Sequence, residues 1–249
     1  MEAEAIPVSV MTANLGNGLA PDDQVIAAFI DSGADLIAIQ ELNARQGARL
    51  LPAMAGTYPH SVSFGDSYEG RGMLSRYPIT SSVSVDLVPG RPDVIARIDL
   101  GHTGLTIIIG HPRPQVMRRG RVRFAMGSLR QLVLLANAAL EAPPAVLLGD
   151  FNMSPRHIGY RRYVRLGLVD AFEVAGSGRG WTFPIRMKVR PPRNEPQRVR
   201  LVATPPIKRF DYIWTTPDIG VASARIGPDT GSDHATVIAT LLVPVATER

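Results

Sequence analysis

The stretch "AVLLGDFNMSP", Ala145 to Pro155, decides how this chain is read: an apolar run of strand length ends on Asp150 and Asn152 and is stopped by a proline. A short, continuously apolar run bounded by breaker residues has the pattern of a strand buried on both faces. Its two polar terminal side chains then belong at the rim of a sheet, where layered α/β proteins bind ligands.

Composition bounds what can surround that strand. The 249 residues are 45% hydrophobic and 20% charged, the proportions of a globular chain with a real core. There is no cysteine, which excludes disulfides, thiol nucleophiles and thiolate zinc sites, so any metal must be held by oxygen or histidine. The N-terminus "MEAEAIPVSVMTANLG" has acids where a signal peptide needs bases. The longest apolar stretches, "LVLLANAALEAPPAVLLG" and "ATVIATLLVPVA", are broken by Glu141 and by prolines, too short to span a bilayer. The expectation is a soluble monomer in the cytoplasm, with export or truncation from a longer parent as alternatives.

Short apolar runs alternate with stretches of helical period, without tandem repeats or low-complexity blocks. "PDDQVIAAFIDSG" and "ARQGARLLPAM" read as helices, as do a long segment from about Arg119 to Leu140 and a shorter one from Arg156 to Leu166. "PVSVMTAN", "ADLIAIQE", "YPHSVSF", "GRGMLSRY", "SSVSVDLV", "DVIARIDL", "LTIIIGHP", "GWTFP", "RFDYIWTT", "VASARIG" and "HATVIATLLV" read as strands. No linker separates domains, so residues 1–249 are expected to form one domain. Strands outnumber helices, and hairpins mix with β-helix-β crossings, which suggests an α/β protein of two packed sheets covered by helices.

The net charge is +5. Arg113, Arg118, Arg119, Arg121 and Arg123 crowd one loop-like segment, and a second, from Arg186 to Arg209, carries eight bases against Glu195. Charge runs are most often solvated surface; these two gain meaning only if both border a site that handles phosphate.

Six segments place polar residues where strands end or begin: Asn14; Gln40 and Glu41; His111; Asp150 and Asn152; Asp211; and Ser232, Asp233 and His234. Any one of these has an ordinary explanation as a turn or a cap. Six together point to one rim. His60, His102 and His157 lack a paired acid and read as core or surface residues, and Trp181 and Trp214 lie in strand patterns as core residues. "GSGRG", residues 176–180, lacks the Lys-Ser/Thr ending of a nucleotide-binding loop and reads as a turn.

The segments "TANLGNG", "DLIAIQELN", "GRGMLSRYPI", "IIIGHPRP", "LLGDFNMSP", "RFDYIWTT" and "GSDHATVIATL" occur in an order and spacing that resembles the endonuclease/exonuclease/phosphatase superfamily, the deoxyribonuclease I-like proteins. That resemblance implies a four-layer α/β sandwich and cleavage of a phosphoester with Mg²⁺ or Mn²⁺. It makes Asn14, Glu41 and Asp233 the candidate metal ligands, a set of oxygen donors suited to a hard divalent cation. Asp150 is expected to orient or deprotonate the attacking water, and Asn152 to donate a hydrogen bond to a non-bridging oxygen. His234 with Asp211 resembles the family's carboxylate-histidine pair, either general base or phosphate clamp. His111 matches the second histidine of the deoxyribonuclease I branch, which protonates the leaving oxygen or binds phosphate. It argues against a close relation to AP endonucleases, which resemble one another in a tyrosine-bearing segment there.

The substrate is expected to be nucleic acid, DNA or RNA, because Arg113, Arg118 and Arg119 follow His111 and the second basic segment precedes Asp211, so both would flank the cleft. The alternatives are an inositol phosphate or sphingomyelin-like lipid and, from another class, an inactive binding module that keeps the fold. Retention of the acids and of His234 together weighs against the last.

Overall fold

The computed structural model describes residues 4–114, 116–118, 121–123, 126–189 and 200–245. In chain order the first half comprises β1 (Ala5–Asn14), α1 (Asp22–Ser32), β2 (Leu36–Gln40), α2 (Ala44–Met54), β3 (His60–Phe64), β4 (Arg71–Ser75), β5 (Ile79–Val85), β6 (Asp93–Asp99) and β7 (Gly104–Gly110). There follow β8 (Val116–Arg118), β9 (Arg121–Arg123), α3 (Met126–Glu141), β10 (Ala145–Asp150), α4 (Ile158–Arg165), β11 (Val169–Asp170) and α5 (Ala171–Ala175). The chain then runs through β12 (Arg186–Val189), β13 (Arg200–Ala203), β14 (Asp211–Thr215), β15 (Gly220–Ile226) and β16 (Val237–Pro244).

Two six-stranded mixed sheets form the centre, in the orders β15-β16-β1-β2-β4-β3 and β11-β14-β10-β7-β6-β5. Each has one parallel pair in its interior, β1 with β2 and β10 with β7, joined by crossovers that carry α1 and α3; antiparallel strands complete both sheets.

Two-residue alternation sorts the side chains into layers. In the first sheet Val8, Val10, Leu36 and Ala38 face the other sheet and meet Val94, Ile107, Ile109, Val146, Leu148 and Ile213. The intervening residues Met11, Ile37 and Ile39 face outward, against Val25 and Phe29 of α1 and Leu50 and Met54 of α2. On the far side Ile108, Leu147 and Trp214 pack against Leu132 and Leu135 of α3 and Tyr163 of α4. This is a four-layer sandwich, and it explains why "AVLLGD" is apolar at every position before its terminal acid: β10 is covered on both faces.

The local signals that set the helices are visible. Gly33 ends α1 in the left-handed conformation (φ 66°), Asn43 caps α2 by accepting from Gln46 N at 2.8 Å, and His157 caps α4 by accepting from Gly159 N at 3.0 Å.

Four expectations are corrected. The helix read from about Arg119 begins at Met126, and Arg121–Arg123 instead pairs antiparallel with Val116–Arg118; Gly120 and the β-branched Val116 and Val122 oppose a helix there. The second basic segment is not loop throughout, because Arg186–Val189 pairs with Arg200–Ala203. "GWTFP" forms no strand: Phe183 bridges Lys208, while Ile185 N donates to Asp233 O and Pro184 has no N–H to continue a ladder. Finally, Trp181 is not core. Its neighbour Thr182 is buried while Trp181 itself is 37% exposed, whereas Trp214 is buried as expected.

Candidate active site

The topology brings the six segments to one rim. Strands β1, β2, β7 and β10 all point their C-terminal ends at it, and Asn14, Glu41, His111 and Asp150 stand at or just past those ends. The antiparallel β14 and β16 arrive from the other direction and contribute the residues at or before their starts, Asp211 and the Asp233-His234 pair. Asp150 and Asp211 are direct partners in the β10–β14 register.

Backbone constraints hold these ends in place. Gly149 has φ 147°, and a Cβ there would meet the carbonyl oxygen of Gly110 at 2.0 Å, so only glycine lets β10 lie this close to β7 immediately before Asp150. Glu41 (φ 53°) and Asn152 (φ 49°) are both in the left-handed region, a conformation that residues other than glycine adopt at a cost and that clusters at functional sites.

Asp150 is the hub. Its Oδ2 accepts from Asn14 Nδ2 at 3.1 Å and lies 3.5 Å from His111 Nε2 and 3.7 Å from His234 Nε2, while Oδ1 accepts from Asn152 N at 2.8 Å. Asn14 Nδ2 also donates to Glu41 Oε1 at 3.2 Å, and His111 Nε2 is 3.6 Å from the same oxygen. On the opposite wall His234 Nδ1 is 3.0 Å from Asp211 Oδ2, and the ring of Phe183 packs on the imidazole at 4.5 Å. Of these groups Glu41, His111, Asp150, Asn152, Phe183 and His234 line a cleft of about 220 Å³.

Burial and mutual charge set the protonation states. Asp150, removed from water, is pushed up to about 7; His234 opposes the rise and Asp211 adds to it. Burial alone would lower His234, but Asp211 and Asp150 outweigh it and hold the imidazolium up to about 10. His111 goes the other way, well below the usual histidine value, through burial reinforced by Arg71, Arg91 and His234. One histidine is therefore charged at neutral pH and the other is not. Burial also raises Glu41.

Asn14, Glu41, His111, Asp150, Asp211 and His234 are thus brought together, with Asn152 and Asp233 on the cleft wall. Asn152 Nδ2 donates to Pro112 O at 3.0 Å. Asp233 Oδ2 lies 3.8 Å from Lys188 Nζ. Arg113 points elsewhere, with Nη2 donating to Pro89 O at 3.4 Å. The side chain of Arg118 and the whole of Arg119 lie outside the described residues.

Arg91, Lys188 and the half-exposed Tyr68 also line the cleft, and sequence reasoning singled out none of them. Lys188 was visible only as one of many bases, and Arg91 sits in a turn, "PGRPD", with no motif around it. The carboxylates of Asp150 and Asp211 and the His234 ring place ligand atoms within 4.8 Å of one another, a group that could hold a metal ion. None of the helices among the described residues is long and apolar enough to cross a membrane.

Comparison with known proteins agrees with this architecture. A search of curated proteins returns no match. Among solved structures, an endonuclease/exonuclease/phosphatase from Bacteroides vulgatus superposes with a TM-score of 0.70 at 17% identity, covering 96% of this chain and 99% of that one. Danio rerio TDP2 complexed with single-strand DNA product gives 0.68 at 17% identity, covering 94% and 98%. Sphingomyelinase C from Streptomyces griseocarneus gives 0.67 at 17%, covering 94% and 99%. At this identity such likeness speaks for the fold. The family model described as Endonuclease/Exonuclease/phosphatase family matches residues 11–234, from within β1 to His234 itself, and the chain belongs to that family.

Proposed function

We propose that this protein is a divalent-metal-dependent phosphodiesterase whose substrate is nucleic acid. The observation that carries the reading is the hub at Asp150, a carboxyl poised near neutrality between a charged and an uncharged histidine. A base is most useful when its pKa lies near the working pH, so Asp150 is suited to take the proton of an attacking water. His234, held as imidazolium by Asp211, is suited to clamp a non-bridging phosphate oxygen through Nε2 and not to act as base. His111, kept neutral, serves as a hydrogen-bond partner for phosphate and not as a donor of a proton to the leaving oxygen.

The residues present fit a hard cation. Glu41 is raised by burial despite Asn14, His234 and Lys188, which favour its charged form, and among the described residues its one ion-pair partner within contact distance is the uncharged His111, so its carboxylate can take up a cation. Glu41, Asn14 and Asp233 would hold the ion. The cluster of Asp150, Asp211 and His234 is the weaker choice, because Nδ1 of His234 is already engaged with Asp211 and a cation there would oppose the imidazolium. A bound Mg²⁺ or Mn²⁺ supplies charge neutralisation at the phosphoryl oxygen.

Nucleic acid is favoured over lipid by Arg91 and Lys188 at the cleft itself, which suit a chain of phosphates. The similar TDP2 structure holds single-strand DNA product and another similar structure is a sphingomyelinase, so both substrate classes occur on this fold.

The test is a parallel hydrolysis assay with Mg²⁺, Mn²⁺ or chelator on single-stranded DNA, RNA, supercoiled plasmid, sphingomyelin and an inositol polyphosphate, beside the Asp150→Ala variant. Metal-dependent cleavage of nucleic acid that the variant lacks is the expected result. Turnover confined to the lipid or inositol substrate would overturn the substrate, and wild-type turnover by the variant would overturn the site.

A further inference from the structure

A second, larger recess opens beside the cleft. It has a volume of about 660 Å³, within the range of roughly 300–1,000 Å³ typical of pockets that enclose a whole small ligand. It is joined to the active site on two sides. Ser154 and Arg156 enter it from the segment that carries Asn152, and Lys208 is bridged through its backbone to Phe183, whose ring lies on His234.

Its chemistry is unlike that of an ordinary surface hollow. Arg156, Arg179 and Lys208 are exposed at its edge and have no acidic partner among the described residues. The one acid in the wall, Glu173, is 3.4 Å from Arg209, whose guanidinium is itself buried against Asp170 at 2.7 Å. Because Arg209 is shared between two carboxylates, the three exposed cations face one partly compensated acid, Glu173, and the recess is positive on balance. Trp181 stands exposed in the same wall, with the Arg179 guanidinium 4.7 Å over its ring. Planar guanidinium on indole is a platform on which a nucleobase can form the next layer, and exposed cations suit the phosphate attached to it.

We propose that this recess is a subsite for one unpaired nucleotide next to the scissile phosphate, its base on Arg179 and Trp181 and its phosphate on Lys208 and Arg156. The inference rests on the nucleic acid reading above and deepens it. A base held in a duplex stack cannot present its face to the Arg179–Trp181 platform, so the subsite selects single-stranded or frayed substrate over intact duplex.

Trp181 reports on the subsite directly, since the other tryptophan, Trp214, is buried. Indole fluorescence would be titrated, in chelator, with a short single-stranded oligonucleotide, the matching blunt duplex, and anionic phosphatidylinositol vesicles. In parallel, hydrolysis of the oligonucleotide and of bis(p-nitrophenyl) phosphate, which carries neither a nucleobase nor a second phosphate, would be followed for wild type, Arg179→Ala and Trp181→Ala. The expected result is quenching by the single strand, not by duplex or vesicles. Both variants should show a roughly tenfold loss in oligonucleotide affinity with unchanged turnover of the aryl diester.

Equal quenching by duplex overturns the selection for unpaired nucleotides, and quenching by vesicles alone overturns the nucleotide assignment. Oligonucleotide binding and cleavage untouched by either variant sinks the subsite while leaving the proposed activity standing. Failure of wild type to hydrolyse any phosphodiester sinks the activity on which it rests.

Discussion

Asp211→Asn isolates one charge in the site. Asp211 is buried, its Oδ2 is 3.0 Å from His234 Nδ1, and its Oδ1 has no hydrogen-bond partner among the described residues, so its negative charge is spent on the imidazole. Together with Asp150 it holds His234 up to about 10 against burial, which pulls the other way. The amide is nearly isosteric and its oxygen can still accept from Nδ1, which leaves shape and tautomer intact and removes the charge. His234 should then fall to its ordinary value of about 6.5 or below, and at pH 8 a group with that pKa is protonated in about 3% of molecules.

The titration is read by NMR of the imidazole Cε1–H in metal-free protein, which avoids any contribution from a bound cation. Wild type should show one histidine that does not titrate until pH is near 10, and the variant should lose it. Thermal stability provides a second readout. A histidine raised in the folded state contributes stability fully below about pH 6.5 and loses it as pH climbs through about 10, an effect on the order of a few kcal/mol. Asp150 acts in the same direction at lower pH: a carboxyl raised to about 7 in the folded protein costs stability as pH rises from about 4 to 7, where the unfolded chain gives up the proton that the folded protein keeps. The alkaline loss expected of wild type should be flattened in Asp211→Asn. A wild-type His234 that titrates near 6.5, or a variant whose titration is unchanged, would refute the electrostatic account of the site.

Three other perturbations probe the same geometry. Gly149→Ala should cost about 3 kcal/mol, a fall of roughly 10 °C in Tm by calorimetry, because its Cβ would meet backbone that cannot move aside and its φ is positive; an unchanged Tm would show that β7 and β10 can separate. Asp150→Ala should abolish metal-dependent hydrolysis without lowering stability at pH 8, since it removes a carboxyl whose ionised form is disfavoured by burial; a large loss of Tm would mean that the hub is structural first. Lys188→Ala should reduce the slope of log affinity against log salt for single-stranded DNA by about 0.7, the share of one phosphate contact; an identical slope in a salt titration would remove Lys188 from the substrate path.

Much of the fold is legible in residue order because the covering of each strand is written into its side chains. "AVLLG" is apolar throughout and lies between two layers, while "LIAIQ" divides cleanly into Leu36 and Ala38 on one face and Ile37 and Ile39 on the other. The misread segments are those where local propensity and tertiary pairing compete. Arg121–Arg123 could be counted into the helix that follows it until Val116–Arg118 supplied a partner strand. "GWTFP" carries strand residues but no ladder, because its backbone groups are taken up separately by Lys208 and Ala235.

The site divides in the same way. Asp150, Asn152, Asp211 and His234 could be named as candidates in advance because six segments carry polar groups at strand ends together and match the order of the family's motifs, although each alone has an ordinary explanation. Nothing local marks Arg91, Lys188 or Trp181, whose positions arise from which side of a turn or hairpin faces the cleft and the recess. Residue order alone was enough to establish the layered fold, the family resemblance and the rim on which the polar groups meet, since periodicity and strand ends are local properties of the chain. Only the packed structure could decide that His234 is charged and His111 neutral, because protonation depends on burial and on charges that lie far apart in sequence and meet only in the fold.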